Sequence, residues 1–549
     1  MELHAIYIFS HDDAIIKTIV SRGGSDMFHF SSKRKNTVVT EQVEHFNKGL
    51  DENSLSRSMK SNVEIIKKLF TDVDILIVRY FQNRHDKNLK YCIVYCDGVV
   101  NFETINENIM KPLMLSDAAG GHPDGHLADD LIENVVFVNE IKKTKEMKEI
   151  VESVTYGDTI LFVEGSEEAV ILNTKGFTTR SMDEPENEKI LSGPREGFNE
   201  SLLQNLSMVR RKVRTNELKM KFTTMGRITR TKACICYIDK IVNKNILKEL
   251  YRRLELIDID GVLDTNYITE LIRDSMWSPF RTTGYTERPD VVVGKLLEGR
   301  IAIFLDGTPV VLTVPYLFIE NFQSSEDYYL SFYYSSLSRF LRLTGFFLTI
   351  GVPALYVAIV AFQQQMLPTQ LLISIASSRK SVPLPAAAEA FIMLAVFDIL
   401  RETGIRMPSN IGQPLSIVGA LVIGQAAVDA KLVAAPMIIV VALTGITGLL
   451  VPKMNAPVIY TRLFLLSMAT CFGLFGFVLG LSAVLIHILN LHSFGIPQLT
   501  FRGALQFQEI KDTFIRAPWW DMLTRTKSMT NNLVRMKSSP GESNGGKHE

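Results

Sequence analysis

Apolar positions in this chain follow two regimes. Between about residues 61 and 338 they form short runs, several alternating with polar residues, set between amphipathic stretches. In ACICYID, beginning at Ala233, residues two apart would share one face of a strand. Beyond residue 339 the runs lengthen and lose their charges, at 343–362, 411–428, 432–451 and 463–486. Each would reach about 27 to 36 Å as a helix, enough to cross a hydrocarbon core of about 30 Å. A fifth apolar segment, 385–400, carries Glu389 and Asp398 and is expected to be interfacial, re-entrant or pressed against the bundle interior. The pattern predicts an α/β cytosolic region followed by an all-α polytopic transmembrane bundle.

The α/β region repeats itself. CIVYCDGVVN from Cys92 aligns without gaps on CICYIDKIVN from Cys234, and GDTILFVEG from Gly157 aligns on GRIAIFLDG from Gly299. Both matches share one offset, 142 residues (234 − 92 and 299 − 157), which chance likeness of two strands would not keep. Two tandem duplicated α/β subdomains are therefore expected, at 61–185 and 231–338, after a polar, partly disordered lead-in over 1–60. Glu164-Gly165 and Asp306-Gly307 read as hairpin turns, where glycine tolerates positive φ. Asp97 and Asp239, equivalent positions just past a strand, read as turn formers. Residues 186–230 are expected to hold a linker helix, with Asn199 as its cap, Leu202, Leu203, Leu206 and Val209 on one face and Arg210, Arg211 and Arg214 at its end.

In the expected bundle, 339–500, Gly473, Gly476 and Gly480 form a small-residue face for close helix packing. Glu389, Asp398, Gln425 and Asp429 are polar groups at membrane depth, where their cost points to a cavity, an ion path or a helix partner. A basic tail over 501–549 and a cytosolic N-terminal region favour the same side of the membrane, hence an even number of spans. Four spans satisfy this with 385–400 not crossing, but Arg379, Lys380, Arg401 and Arg406 then fall outside; five spans are the alternative.

Charge sharpens the division. The 549 residues balance 59 Lys+Arg against 59 Asp+Glu, yet 339–549 holds 17 basic and 9 acidic residues, leaving 42 and 50 before it. Five cysteines are too few and too irregularly spaced for a disulfide scaffold, and none stands at zinc-ligand spacing. No phosphate-binding loop, nucleophile elbow, metalloprotease motif or basic nucleic-acid stripe is present, so neither cofactor nor nucleic acid is expected.

The motifs SGPREGFNES from Ser192, TERPD from Thr286, Glu298-Gly-Arg300 and FQSSEDYY from Phe322 carry a resemblance. So do PALYVA from Pro353, Leu400-Arg-Glu402 with Gly404-Ile-Arg406, SIVG from Ser416 through IGQAA from Ile423, and HSFGIP from His492. Over about residues 190–537 the sequence resembles the A subunit of bacterial spore germinant receptors, the spore germination GerA family. It departs from the family pattern at Leu394, where a Glu is usual, and at Thr526, where a Pro is usual. The resemblance implies a spore inner-membrane protein with a cytoplasmic N-terminal domain, acting with a transporter-like B subunit and a lipoprotein C subunit to start germination. It also implies an oligomer that conducts ions.

These readings select a non-enzymatic receptor and channel subunit, embedded in membrane lipid as a homo-oligomer. Its pore would be lined by the 411–429 helix, through Ser416, Gly419, Ile423, Gln425 and Asp429. Glu287, Arg288 and Asp290 in TERPD, and Glu326 and Asp327 directly before the first long apolar run, are candidates for coupling the two regions. The competing reading is a secondary transporter or its scaffold, against which stands the lack of a detectable inverted repeat.

Overall fold

A computed structural model describes residues 55–116, 135–176, 184–185, 188–406, 419, 422–499 and parts of 512–535. Ser416 and most of the expected lead-in lie outside the described residues. The first α/β unit contains α1 (Met59–Leu69), β1 (Leu76–Gln82) and β2 (Lys90–Cys96), then a π-helical stretch, Thr104–Met110, running into α2 (Lys111–Leu115). It continues with β3 (Ile141–Thr144), α3 (Met147–Tyr156), β4 (Thr159–Val163) and β5 (Ala169–Leu172). The second contains α4 (Leu202–Lys212), β6 (Leu218–Met225), β7 (Thr231–Ile238), α5 (Lys244–Glu255) and α6 (Thr265–Ile272). Its remaining elements are β8 (Gly284–Thr286), α7 (Pro289–Leu297), β9 (Ile301–Leu305) and β10 (Val311–Val314).

Each unit is a five-stranded antiparallel sheet, ordered β1-β2-β4-β5-β3 and β6-β7-β9-β10-β8. Register agrees as well as order: Tyr80 opposes Cys92 and Phe222 opposes Cys234, Cys92 opposes Phe162 and Cys234 opposes Phe304, all at the 142-residue displacement. Local chemistry sets the helix ends. The Asn243 side chain caps α5 by accepting from Asn245 N at 3.0 Å, Pro289 opens α7, and Gly157 closes α3 in the left-handed region.

The expected boundary at 231 moves. The stretch 186–230 is no linker, because α4 and β6 lie inside it and β6 is the edge strand of the second sheet. Helix α4 stands to β6 as α1 stands to β1, apart from one residue in the connection. Asn199 does not cap α4; Ser201 occupies that position, and Asn199 instead exchanges hydrogen bonds with Asn205. Leu203 is exposed, and Arg210 is fully buried with its guanidinium on the Thr215 and Leu218 carbonyls at 2.9 and 3.1 Å.

Strand alternation divides the cores. Cys234, Cys236, Ala302 and Phe304 face a core shared with the first unit. Ala233, Ile235, Tyr237, Ile301, Ile303 and Leu305 face a second core that runs on into the helical region through Phe318, Phe346, Ile350 and Leu465. The second sheet is thus a common layer between the first unit and the helices.

The helical region comprises α8 (Phe332–Ala361), α9 (Thr369–Arg379), α10 (Ala386–Arg406), a helical stretch at 422–429, α11 (Ala435–Gly448) and α12 (Asn455–Asn490). Helix α8 leaves the second unit and ends where Val360 packs on Ile375 and Ala386. Helix α10 starts at that far end, and α11 also starts there, with Ala434 N donating to Glu389 at 3.0 Å. The 463–486 run is not one span. Gly473 (φ 60°, ψ −141°) breaks α12 into legs 455–472 and 474–490. A Cβ on Gly480 would meet Leu465 and Met468 at 3.0 and 3.4 Å, although a continuous helix would separate residues 465 and 480 by about 22 Å. The legs form a hairpin with its turn against Phe362 at the far end of α8. Gly476 and Gly480 therefore pack one leg on the other rather than serving a separate helix.

The C-terminal tail returns to the second unit. In the first unit Val100 bridges Lys175, and Asn101 N donates to Thr174 O at 2.7 Å, so the chain after β5 covers the turn beyond β2. In the second unit the chain after β10 departs toward α8, and the equivalent Val242 bridges Thr530 instead. The Thr530 hydroxyl donates to Ile241 O.

Candidate functional site

Where α8 leaves the second unit, ionised groups are buried together. The turn Ser325–Tyr328 is closed by a capping box, Ser324 N donating to Asp327 Oδ2 at 3.2 Å. That carboxylate, 1% exposed, accepts from Arg339 Nε at 2.9 Å and Arg342 Nη1 at 3.0 Å, two arginines three residues apart on one face of α8. Arg339 Nη1 also reaches Asp512 Oδ1 at 2.9 Å, and the Tyr328 hydroxyl donates to Asp512 Oδ2 at 2.7 Å. Burial pushes the Asp512 carboxyl up from its ordinary value, with Arg339 opposing, and pushes the Tyr328 phenol well up.

A second cluster joins the α/β unit to the α11–α12 connection. Arg288, 1% exposed, donates to Pro194 O at 2.6 Å and Asp290 Oδ2 at 2.9 Å, and the Tyr329 hydroxyl reaches the same carboxylate at 2.7 Å. Glu188 pairs with Lys453 at 2.8 Å and accepts from Glu287 N at 3.1 Å and from the Thr286 hydroxyl. Burial works against the Glu188 charge, yet Lys453 and these hydrogen bonds hold its carboxyl below the ordinary 4.5. In a third cluster Glu320 joins Arg300 and Lys295, the latter at 2.6 Å, and Arg535 of the tail pairs with Glu298 at 2.9 Å. A cavity of about 590 Å³ lies among the clusters, bordered by Arg288, Asp290, Lys295, Tyr328, Arg342 and Lys453.

Such an arrangement fits mechanical coupling. Removing Asp290 or Asp327 strands a buried arginine, so these contacts are costly to break.

Within the helices, Glu389 is fully buried and pairs with Arg379 at 3.2 Å, while Asp398 pairs with Arg462 and, at 3.4 Å, with Arg401. Both acids thus lie between helices. Gly419 lies against Leu400, while Ile423, Gln425 and Asp429 are exposed. Residues 64–528 match the family model described as Bacillus/Clostridium GerA spore germination protein.

The chain belongs to that family. It is 40% identical over 475 residues to the uncharacterized membrane protein YfkQ of Bacillus subtilis (strain 168), covering 86% of this chain and 91% of that protein. It is 39% identical over 480 residues to spore germination protein KA of the same organism, covering 87% of each. A crystal structure of the N-terminal domain of the A subunit of the Bacillus megaterium spore germinant receptor GerK3 matches 48% of this chain and 98% of its own, at 31% identity and a TM-score of 0.39.

In this GerA-family chain, the residues singled out in TERPD and FQSSEDYY come together: Arg288, Asp290 and Asp327 are buried at the junction. The Glu287 amide enters through Glu188, and Glu326 accepts from Leu191 N. Sequence reasoning missed Glu188, Arg300, Glu320, Arg339, Arg342, Lys453 and Asp512. Arg339 and Arg342 carried a signal in their three-residue spacing directly before a charge-free run, and Arg300 in its place in the Glu298-Gly-Arg300 motif.

Proposed function

We propose that this protein is the A subunit of a spore nutrient-germinant receptor, with the two α/β units cytoplasmic and the helices in the spore inner membrane. It acts with a transporter-like B subunit and a lipoprotein C subunit. The observation that carries the reading is the buried ion cluster around Asp327, by which the first long apolar helix begins inside the α/β unit. Family membership supports the germination role.

The two units are products of a tandem duplication, a reading supported by their shared strand order and register. The bundle crosses six times: at α8, at α10, at the apolar run expected over 411–428, at α11, and at both legs of α12. Six replaces the four or five spans expected from sequence and keeps both ends on one side. Arg401 and Arg406 then fall on the cytoplasmic side, in keeping with the usual bias, while Arg379 and Lys380 remain outside.

Several copies assemble into an ion-conducting channel, in which the exposed face of the 422–429 helix, with Ile423, Gln425 and Asp429, lines the pore. Purified protein in liposomes is expected to pass K+ or Na+; a monomeric, ion-tight protein under conditions where the full receptor responds overturns the channel. Spores lacking the gene are expected to lose their response to one class of nutrient. An unchanged response across a full panel, with other receptor genes deleted, overturns the receptor reading.

A further inference from the structure

Among the described residues of the α/β units several large apolar side chains stand in solvent, and the most exposed of them is a tryptophan. In the loop between α6 and β8, Trp277 is 98% exposed and Met276 74% exposed, side by side. Single exposed apolar residues are ordinary, but an adjacent pair with a free indole marks a surface that meets something. Tyr267 and Leu271, one turn apart on the helix leading into the loop, are exposed as well.

The loop is held in place. Arg253 Nη2 pairs with Asp274 at 2.7 Å, Phe494 N donates to Asp274 Oδ2 at 2.8 Å, and Arg273 holds the Ser278 carbonyl. On its other side the Ser278 hydroxyl is 2.9 Å from His487 Nε2, and the Phe280 ring lies 5.9 Å from the His487 ring. His487 belongs to the second leg of α12, three residues from its end, and Phe280 also packs on Phe318, which meets Phe346 of α8. The Ser278 and Phe280 contacts tie the tip to the end of α12 and, through Phe318, to α8, both read as spanning the bilayer, while Arg253 ties it to α5. None uses the Trp277 ring, which is left projecting. Arg281, also exposed and four residues further along the loop, has its guanidinium 4.3 Å from the Tyr285 ring centroid.

We propose that residues 276–281 form an anchor in the lipid headgroup layer, Trp277 and Met276 lying at the hydrocarbon boundary and Arg281 on phosphate. Tryptophan suits that depth because its ring is apolar while its N–H needs a polar partner. The anchor braces the second α/β unit against the membrane and limits its tilt about the root of α8. It rests on the reading of the helices as membrane-spanning.

The test uses the full chain in phosphatidylcholine–phosphatidylglycerol liposomes, with Trp519→Phe and Trp520→Phe leaving Trp277 as the one tryptophan. Its emission is expected to shift to the blue of a water-exposed indole and to lose about half its intensity when the lipids are brominated near the headgroup. Should the double variant misfold, the same lipid quenching is read as the difference between the unaltered chain and Trp277→Phe. A control places tryptophan at Phe347, half-exposed in the middle of α8. Quenching at Phe347→Trp without quenching at Trp277 overturns the anchor and leaves the membrane reading standing. Quenching at neither overturns both.

Discussion

The two α/β units share strand order and register, yet they are used differently. In the first unit both faces of the central strands belong to one core, which Tyr91, Cys92, Ile93 and Val94 enter together. In the second, alternate residues of β7 and β9 enter separate cores, one shared with the first unit and one continuous with the helices. The first unit closes its own turn with Thr174–Gly176, whereas the second leaves the equivalent turn to residues that follow the entire helical region. A single scaffold thus closes its own turn or opens onto the helices according to where the chain goes after its last strand.

The largest effect is expected where the second unit has no counterpart in the first. Asp327→Ala leaves Arg339 and Arg342 buried without their shared carboxylate, and should cost about 3–5 kcal/mol. Thermal unfolding of the purified chain in detergent would measure the loss. A change below about 1 kcal/mol would mean the cluster is well hydrated and does not lock the units to the helices.

Truncation after Asp521, which keeps Asp512 on Arg339, probes the borrowed closure. Amide exchange around Ile241–Asn243 should accelerate by about 1–2 kcal/mol of local opening, while Val99–Asn101 in the first unit stays protected. Equal loss in both places would show that the tail stabilises the region globally instead of covering one turn.

Where the units are alike, they should respond alike. Gly165 and Gly307 sit at φ +88° and +89° with open space beside them, so alanine at either costs about 1 kcal/mol, from backbone conformation alone. A large difference between the two would break the equivalence of their hairpins.

The smallest effect concerns pH. Glu188 is held below its ordinary value when folded, so its contribution is present above about pH 4.5 and is lost as pH falls through the lower folded value. Glu188→Gln should therefore remove up to about 1 kcal/mol at neutral pH and flatten the acid limb of the stability curve. An unchanged acid limb would separate the Lys453 link from the junction's stability.

Much of the fold was legible because it depends on neighbours in sequence. Alternation in ACICYID placed Cys234 and Cys236 on one face, and the hairpin glycines marked turns that occur. The boundary at 231 failed because α4 resembles a linker helix in isolation; its equivalence to α1 lies in packing, and an extra residue in one connection hides it from a gapless alignment. The charged residues in TERPD and FQSSEDYY were legible as groups beside a proline or an apolar run, but their partners were not.

The sequence by itself determined the division into an alternating half and a half of long charge-free runs, the 142-residue offset and the left-handed turns. Each rests on periodicity or local backbone preference, which act over a few residues. Tertiary structure alone decided that Asp512 meets Arg339, that Glu188 meets Lys453 and that the run through Gly473 doubles back. A glycine in an apolar run permits either a straight helix or a turn, and Phe362 against Gly473 with Gln363 accepting from Leu474 N selects the turn. Partners more than a hundred residues apart are chosen by which surfaces pack, and no local propensity encodes that choice.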